Sequence, residues 1–296
     1  MKLALIVVNY NDIIDTKRYI TKVQQYQIID KIVVVDNKST EPQNSFELLK
    51  QLENKKVDVI QTEKNGGYTY GNNFGINYLK SKNEEYDYYA ISNPDIDISE
   101  EAIKRCISFL EKNKKAGMVA PRMLNGDGKA IRRSAWKYRT IKRDIVHATR
   151  ISELLCYKVL RDGEYLEEDY KNPELKVEVI SGAFFIIKKE VLDKINMFDE
   201  NVFLFYEEDI LAMQLKEQGY EIYSLNDINF RHYESQAIGK TFNYFKKMRE
   251  LYNSKMYYHT TYTKLNKIQV LIFRLLHGIR IIELLVEVPV RKILKK

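Results

Sequence analysis

At 296 residues with 45% hydrophobic content, the chain fits one large α/β domain, or one domain with an appendage, around a real core. Its two cysteines, Cys106 and Cys156, supply neither a disulfide framework nor metal-ligand spacing, so a reducing cytoplasm is the default compartment. The net charge of +7 is concentrated: residues 241–296 carry twelve Lys and Arg against three Glu, leaving the first 240 residues slightly acidic. Such a tail suits nucleic acid or an anionic membrane and is no property of the fold. The opening MKLALIVVNYND runs straight into a strand pattern with no small-residue cleavage site, so no signal peptide is read.

Four continuous apolar runs occupy the first hundred residues: Leu3–Val8, Ile32–Val35, Val57–Ile60 and Tyr88–Ile91, with amphipathic stretches between them. Strands apolar on both faces and alternating with helices predict a parallel sheet covered on both sides. The first run ends in Asn9-Tyr10-Asn11-Asp12, the second in Asp36-Asn37-Lys38-Ser39-Thr40 and the fourth in Ser92-Asn93-Pro94-Asp95. Polar strand ends of this kind are where open α/β sheets bind ligands.

Between the third and fourth runs, Asn65-Gly66-Gly67-Tyr68-Thr69-Tyr70-Gly71-Asn72-Asn73 pairs glycines with side-chain amides. The glycines allow positive φ and close approach of a ligand, and Asn72 and Asn73 are ligand-facing amides at a helix start; a plain turn into a helix is the simpler reading. The spacing matches neither a Walker loop nor a dinucleotide fingerprint. Asp95 and Asp97 stand at i and i+2, able to hold one hard cation with phosphate and water oxygens. Alternatively the segment is a turn and N-cap, with Ser99 starting a helix that buries Ile103, Cys106, Ile107 and Leu110.

The stretch from Ile180 to Tyr220 centres on Glu207-Glu208-Asp209, directly after Phe203-Leu204-Phe205-Tyr206. Carboxylates beside one another and beside apolar surface are raised in pKa, which suits a general base. Equally, acids in the first turn of a helix favour its dipole.

Taken together these motifs resemble the family-2 glycosyltransferases of the GT-A fold, in particular the rhamnosyltransferase-like branch of bacterial cell-surface polysaccharide synthesis. The resemblance rests on Val7-Val8-Asn9-Tyr10-Asn11, Val34-Val35-Asp36-Asn37-Lys38-Ser39, Asn65-Gly66-Gly67-Tyr68, Gly71-Asn72-Asn73 and Asn93-Pro94-Asp95. Ser181-Gly182-Ala183, Phe198-Asp199-Glu200, Glu207-Glu208, Gly219-Tyr220 and His232 continue it in the same order. It implies a Rossmann-like, mostly parallel central sheet with helices on both faces, followed by a C-terminal helical extension. A catalytic domain would span residues 1–240, divided into a nucleotide-sugar half (1–97) and an acceptor half (98–240), and 241–296 would be the basic amphipathic extension.

By position, the resemblance assigns Asn9, Asp36, Asn65, Gly67, Asn73, Asn93 and Asp95 to the donor, and Gly182 and Ala183 to the acceptor. Asp95 would reach a divalent cation, Mn2+ or Mg2+, with His232 as a further ligand and Asp97 as a third candidate. Asn93 stands where the first Asp of a DxD motif often does. Counting back from Gly219-Tyr220 puts Glu208 at the base position, where the family usually carries Asp, with Glu207 and Asp209 as competing assignments. Inversion at the anomeric carbon is likewise implied by the resemblance.

Trp136, in the basic segment Arg132-Arg133-Ser134-Ala135-Trp136-Lys137, is read either as stacking on an acceptor sugar or as a half-buried prop for its loop. Residues 140–175 read as a variable insertion. Within 267–294, Lys267, Arg274, His277, Arg280, Glu283, Glu287 and Arg291 share a narrow stripe and the remainder is largely aliphatic. Charges recur too often for a membrane span, leaving three readings: a helix lying in the membrane interface, a homodimer contact, or burial on the catalytic domain. The expected protein is a cytoplasmic transferase, peripheral on the inner face of the membrane, moving sugar from dTDP-rhamnose or a UDP-hexose to a saccharide acceptor, lipid-linked in that setting. Rival readings are an inactive scaffold of the same fold and a nucleotidylyltransferase, for which Val8-Asn9-Tyr10-Asn11 lacks a triphosphate loop. Nucleic acid is disfavoured because the apolar residues of 267–294 are aliphatic rather than stacking aromatics, Phe273 apart.

Overall fold

A computed structural model describes residues 1–155, 163–233 and 244–294. The first half consists of β1 (Leu3–Asn9), α1 (Ile13–Val23), β2 (Lys31–Asp36), α2 (Phe46–Lys50), β3 (Val57–Gln61), α3 (Tyr68–Ser81) and β4 (Tyr88–Ser92). β1 pairs in parallel with β2 and β4, and β2 with β3. Leu3, Leu5 and Val7 enter one core while Ala4 and Ile6 enter another on the opposite face. Burial on both sides is the reason these strands read as unbroken apolar runs.

The second half carries β5 (Ile96–Ile98), α4 (Glu100–Lys112), β6 (Ala116–Asn125), β7 (Ala135–Trp136), α5 (Ile141–Val146) and α6 (Arg150–Leu155). It continues with β8 (Glu174–Val177), β9 (Val179–Ile180), β10 (Phe184–Lys188), α7 (Lys189–Lys194), α8 (Glu207–Glu217) and β11 (Glu221–His232). The sheet runs β3-β2-β1-β4-β10-β6-β11-β5, with β8 on the side of β11. β10 is antiparallel to both β4 and β6, and β11 is parallel to β6 but antiparallel to β5 and β8. The expected mostly parallel sheet is present, since β6 and β11 run the same way as the first four strands, and the antiparallel members are β10, β5 and β8. β10 is buried along its whole length, as the parallel strands are; an apolar run reports cover on both faces and carries no sign of direction. α4 starts as expected, with the Ser99 hydroxyl accepting from Ala102 N–H at 3.2 Å and Ile103, Cys106, Ile107 and Leu110 buried.

Two helices close the chain, α9 (Tyr244–Thr261) and α10 (Lys267–Leu294). The expected boundary at residue 240 and Cys156 fall outside the described residues. α9 is part of the body of the protein: Tyr258 is fully buried against Val202, Tyr206 and Ile210, and Tyr257 and Tyr262 both donate to Asp199 Oδ2 at 2.7 Å. The middle of the polar stripe of α10, His277, Arg280, Glu283 and Glu287, is half-buried, while Lys267 and Arg274 are exposed. Arg280 pairs with Glu283 and Glu287, and Glu283 accepts from the main-chain N–H groups of Arg150 and Ile151. Phe273 and Leu284 are buried beside them, while Ile268, Leu271, Leu275, Ile279, Ile282 and Leu285 are exposed. No helix among the described residues is long and apolar enough to cross a membrane.

Candidate active site

The C-terminal ends of β1 and β2 form a polar rim. Asn9 and Asp36 are fully buried. Asn9 Nδ2 donates to Asp36 Oδ1 and to Ser39 Oγ, each at 3.1 Å, and its Oδ1 accepts from Thr16 Oγ1 at 2.8 Å. Asp36 Oδ2 accepts from Gln61 Nε2 at 2.8 Å, and Ser39 caps Oδ1. Asn9, expected on the nucleoside, instead has both amide atoms engaged in holding the rim. Asp36 is matched on both oxygens, so a nucleoside would share it.

Asn37 Nδ2 donates to Asn65 Oδ1 at 3.1 Å and to Gly67 O at 2.9 Å, which folds the Asn65–Gly67 loop over the rim. Gly67 has φ +90°, and a Cβ there would lie 2.2 Å from Phe203 O. Glycine is required at this point by a close main-chain neighbour as well as by the positive φ. Asn73 also departs from expectation. Its amide donates to Phe198 O (2.8 Å) and Glu200 Oε1 (2.7 Å) and accepts from Phe198 N–H (3.1 Å), clamping α3 to the Phe198-Asp199-Glu200 turn.

Asp95 is 4% exposed at the start of β5, and His232 Nε2 at the end of β11 lies 3.3 Å from its Oδ1. The β5–β11 ladder sets His232 opposite Ile96 and makes this meeting. Asp97 does not join them: it is ion-paired with Lys22 of α1. No group of three or more potential metal-ligating His, Cys, Asp or Glu occurs among the described residues.

Asn93 N–H donates to Ala183 O at 2.8 Å, joining the Asn93-Pro94-Asp95 segment to the Ser181-Gly182-Ala183 turn between β9 and β10. On the other side of that turn Gly182 N–H donates to Glu208 Oε1 at 3.3 Å, and Gly182 O accepts from Tyr68 OH at 2.6 Å. A Cβ at Gly182 would stand 3.2 Å from Glu208 Oε1, so the glycine leaves room at the carboxylate. Tyr68 closes the far side of this space, a role that its place in the Asn65-Gly66-Gly67-Tyr68 motif does not reveal.

Glu207, Glu208 and Asp209 form the first turn of α8, so they do complement the helix dipole. Their placement nevertheless has a conformational cost. Phe205 and Tyr206 are consecutive left-handed residues (φ 71° and 66°), a conformation costing about 1–3 kcal/mol for each residue without glycine's freedom. Packing holds them there. Ser254 Oγ donates to Leu204 O at 2.7 Å, the Tyr206 ring packs on Tyr258, and Tyr206 OH donates to Asp144 Oδ2. His259 Nε2 reaches the same oxygen at 2.7 Å. Burial works against the Asp144 charge, but the His259 hydrogen bond, with Lys255, Arg139 and Tyr206, outweighs it and holds the carboxyl down at about 2.

The three acids have different surroundings. The Asp209 side chain is 1% exposed and accepts from Trp136 Nε1 (3.1 Å) and Arg139 Nε (2.9 Å). This pairing engages Asp209 internally and makes half-buried Trp136 a prop for it. Glu207 Oε2 is buried without a hydrogen-bond partner, and burial followed by the Glu208 charge pushes its carboxyl well above the usual range. Glu208 is raised too, by burial first and then by Asp209, with the Gly182 N–H opposing. Of these two adjacent acids, Glu208 has the Gly182 N–H to favour its charged form while Glu207 Oε2 has no donor, which makes Glu207 the better proton holder and leaves Glu208 the carboxylate against the Gly182 turn. Such a group can take a proton from a hydroxyl bound in that space.

The profile of Glycosyl transferase family 2 matches residues 4–195. Among curated proteins, the Low-salt glycan biosynthesis hexosyltransferase Agl10 of Haloferax volcanii is 28% identical over 208 residues, 70% of this chain and 59% of that protein, so the match spans less than two thirds of the relative. Two solved structures share the fold. GalNAc-T7 with UDP, GalNAc and Mn2+ aligns with a TM-score of 0.60 at 11% identity, over 94% of this chain and 55% of that one. The mannosyltransferase PcManGT of Pyrobaculum calidifontis, in complex with GDP-Man and Mn2+, aligns with a TM-score of 0.56 at 13% identity, over 90% and 65%. The mixed α/β sheet with helices on its faces is a GT-A fold, and the chain belongs to glycosyl transferase family 2.

Proposed function

We propose that this protein transfers a hexose or deoxyhexose from a nucleotide-sugar, dTDP-rhamnose or a UDP-hexose, to a saccharide acceptor, with inversion. The observation that carries the proposal is the short path across the Gly182 turn. Asp95, facing the donor, and Glu208, facing the acceptor, are tied to opposite sides of one turn by the Asn93–Ala183 and Gly182–Glu208 hydrogen bonds. Glu208 removes the acceptor hydroxyl proton as that oxygen bonds to the anomeric carbon, and the anomeric bond to the diphosphate breaks, its electron pair leaving with the diphosphate. Tyr68 and Gly182 bound the acceptor space, and Asn65 and Gly67 form the loop above the donor rim.

Asp95 and His232 fit a divalent cation whose remaining ligands are donor phosphate oxygens and water, and the imidazole favours Mn2+ over Mg2+. Such a cation would neutralise charge on the departing diphosphate. Both solved structures named above are complexes with Mn2+, which supports this choice. The name of the Haloferax relative supports a glycan acceptor in the hexosyltransferase class. The exposed aliphatic face of α10 supports peripheral attachment to the inner membrane surface and a lipid-linked acceptor of the rhamnosyltransferase-like pathway type.

The test is slow donor hydrolysis across a panel of dTDP- and UDP-sugars, with Mn2+ and with EDTA, following the configuration of the released sugar by NMR. The expected result is metal-dependent release with inverted configuration from one donor. Release of the retained anomer, or no donor turned over or bound with Mn2+ present, rules the proposal out.

A further inference from the structure

A cavity of about 260 Å3 lies between the α5–α6 segment and helices α9 and α10, and shares no lining residue with the Gly182 turn. Lys255, Arg150, Arg280, His147 and His277 supply its polar lining, and Glu153 is the one carboxylate among the lining residues. The rest, apart from Thr149, is apolar or aromatic, chiefly Met248, Leu251, Tyr252 and Phe273.

The two arginines already have partners, Arg280 in Glu283 and Glu287, Arg150 in Glu153 and Glu287. Lys255 has no direct one. It is 8% exposed and forms no ion pair among the described residues: the Asp144 and Glu153 charges act on it from beyond ion-pair distance, and its Nζ meets the main-chain oxygen of Asp144 at 3.5 Å and lies 5.9 Å from the centre of the Phe273 ring. The Asp144 carboxylate is itself occupied by Tyr206 and His259. A buried ammonium with no carboxylate in direct contact is costly, and a methionine would fill the same space without that penalty. His147 adds a second under-satisfied group: its Nδ1 faces Glu153 at 3.5 Å, while its Nε2 is buried with no hydrogen-bond partner. Beside the rim residues Arg150 and Glu153, α6 exposes Ile151, Leu154 and Leu155, at 56%, 80% and 80%.

We propose that this cavity binds a phosphate-bearing amphiphile, its phosphate or diphosphate against Lys255, His147 and Arg150 and the first carbons of its chain on the apolar wall. A phosphate oxygen supplies the direct contact with an opposite charge that Lys255 lacks, through charge-assisted hydrogen bonds. The exposed aliphatic residues of α6 continue the apolar wall toward the surface from which a lipid phosphate would enter. The site needs no sugar donor, so its fate is separate from that of the transfer proposal.

The experiment is isothermal titration of the full chain with octyl phosphate below its micellar concentration, with inorganic phosphate and octanol in parallel. Octyl phosphate is expected to bind roughly tenfold or more tightly than either comparator, and Lys255→Met to weaken it by roughly tenfold or more, as loss of a charged hydrogen bond does. Arg150→Gln, at a half-exposed side chain, is expected to weaken it severalfold and decides the matter if Lys255→Met does not fold. Inorganic phosphate binding as tightly as octyl phosphate overturns the amphiphile, and the ligand is then free phosphate. Absence of octyl phosphate binding, or affinity unchanged in the folded variants, overturns the site.

Discussion

Replacing Gly182 with alanine perturbs the space in front of the proposed base with one added methyl. The new Cβ would lie 3.2 Å from Glu208 Oε1, 3.3 Å from Glu208 Cγ and 3.4 Å from Tyr68 OH. The tightest of these contacts are with a flexible side chain that can rotate away, and Gly182 has no positive φ to forbid alanine. Alanine also restricts the unfolded chain, a gain of about 0.4–1 kcal/mol that offsets much of the crowding. Stability should therefore change by no more than about 1 kcal/mol. Catalysis should not escape so lightly. Displacing the carboxylate by a few tenths of an ångström or more, and breaking its 3.3 Å bond to Gly182 N–H, forfeits part of the two to four orders of magnitude that a positioned base supplies. The expected kcat is about 10- to 100-fold lower, with donor affinity unchanged. The assay is steady-state transfer beside donor titration and a melting curve. Transfer within twofold of wild type in a folded protein would refute the placement of the base at this turn.

Arg139→Leu leaves the buried Asp209 carboxylate with only the Trp136 indole, and should cost about 3 kcal/mol in a denaturant titration; a loss below about 1 kcal/mol would mean that Asp209 is not the anchor of α8. Asp144 is held at about 2, below the ordinary carboxylate value. A depressed folded pKa contributes stability that is present above the unfolded value and is lost as pH falls through the folded one, here between about 4 and 2. Asp144→Asn should abolish this acid limb, on the order of 2 kcal/mol, and an unchanged pH profile would contradict the assignment. Because burial and Asp209 raise Glu208, the acidic limb of kcat/KM should lie above the ordinary glutamate value; a limb at or below that value would point to an unperturbed carboxylate.

The first four strands were legible because burial on both faces leaves unbroken apolar runs, and α4 because Ser99 announces its start. The direction of β10 left no such trace. Nor did the sorting of the three acids. Asp209 is removed from candidacy by Trp136 and Arg139, 73 and 70 positions earlier in the chain, and nothing local marks that pairing. Asn73 misleads for the same reason: an amide at a helix start looks ready for a ligand, yet its partners sit at 198–200. For α10 the sequence shows a narrow charged stripe and a broad aliphatic remainder. Which of the two faces inward depends on ion pairing with Arg150, far upstream, and that pairing leaves the aliphatic side exposed.

Single-turnover transfer by Glu208→Gln, measured beside Mn2+-dependent donor titration, bears most directly on the chemistry proposed for the Gly182 turn. Glutamine keeps the shape and the contact with Gly182 N–H but cannot accept the acceptor's proton. Transfer should fall by about two to four orders of magnitude while donor affinity stays within a factor of about two. Transfer at the wild-type rate would contradict Glu208 as the base and return that role to Glu207.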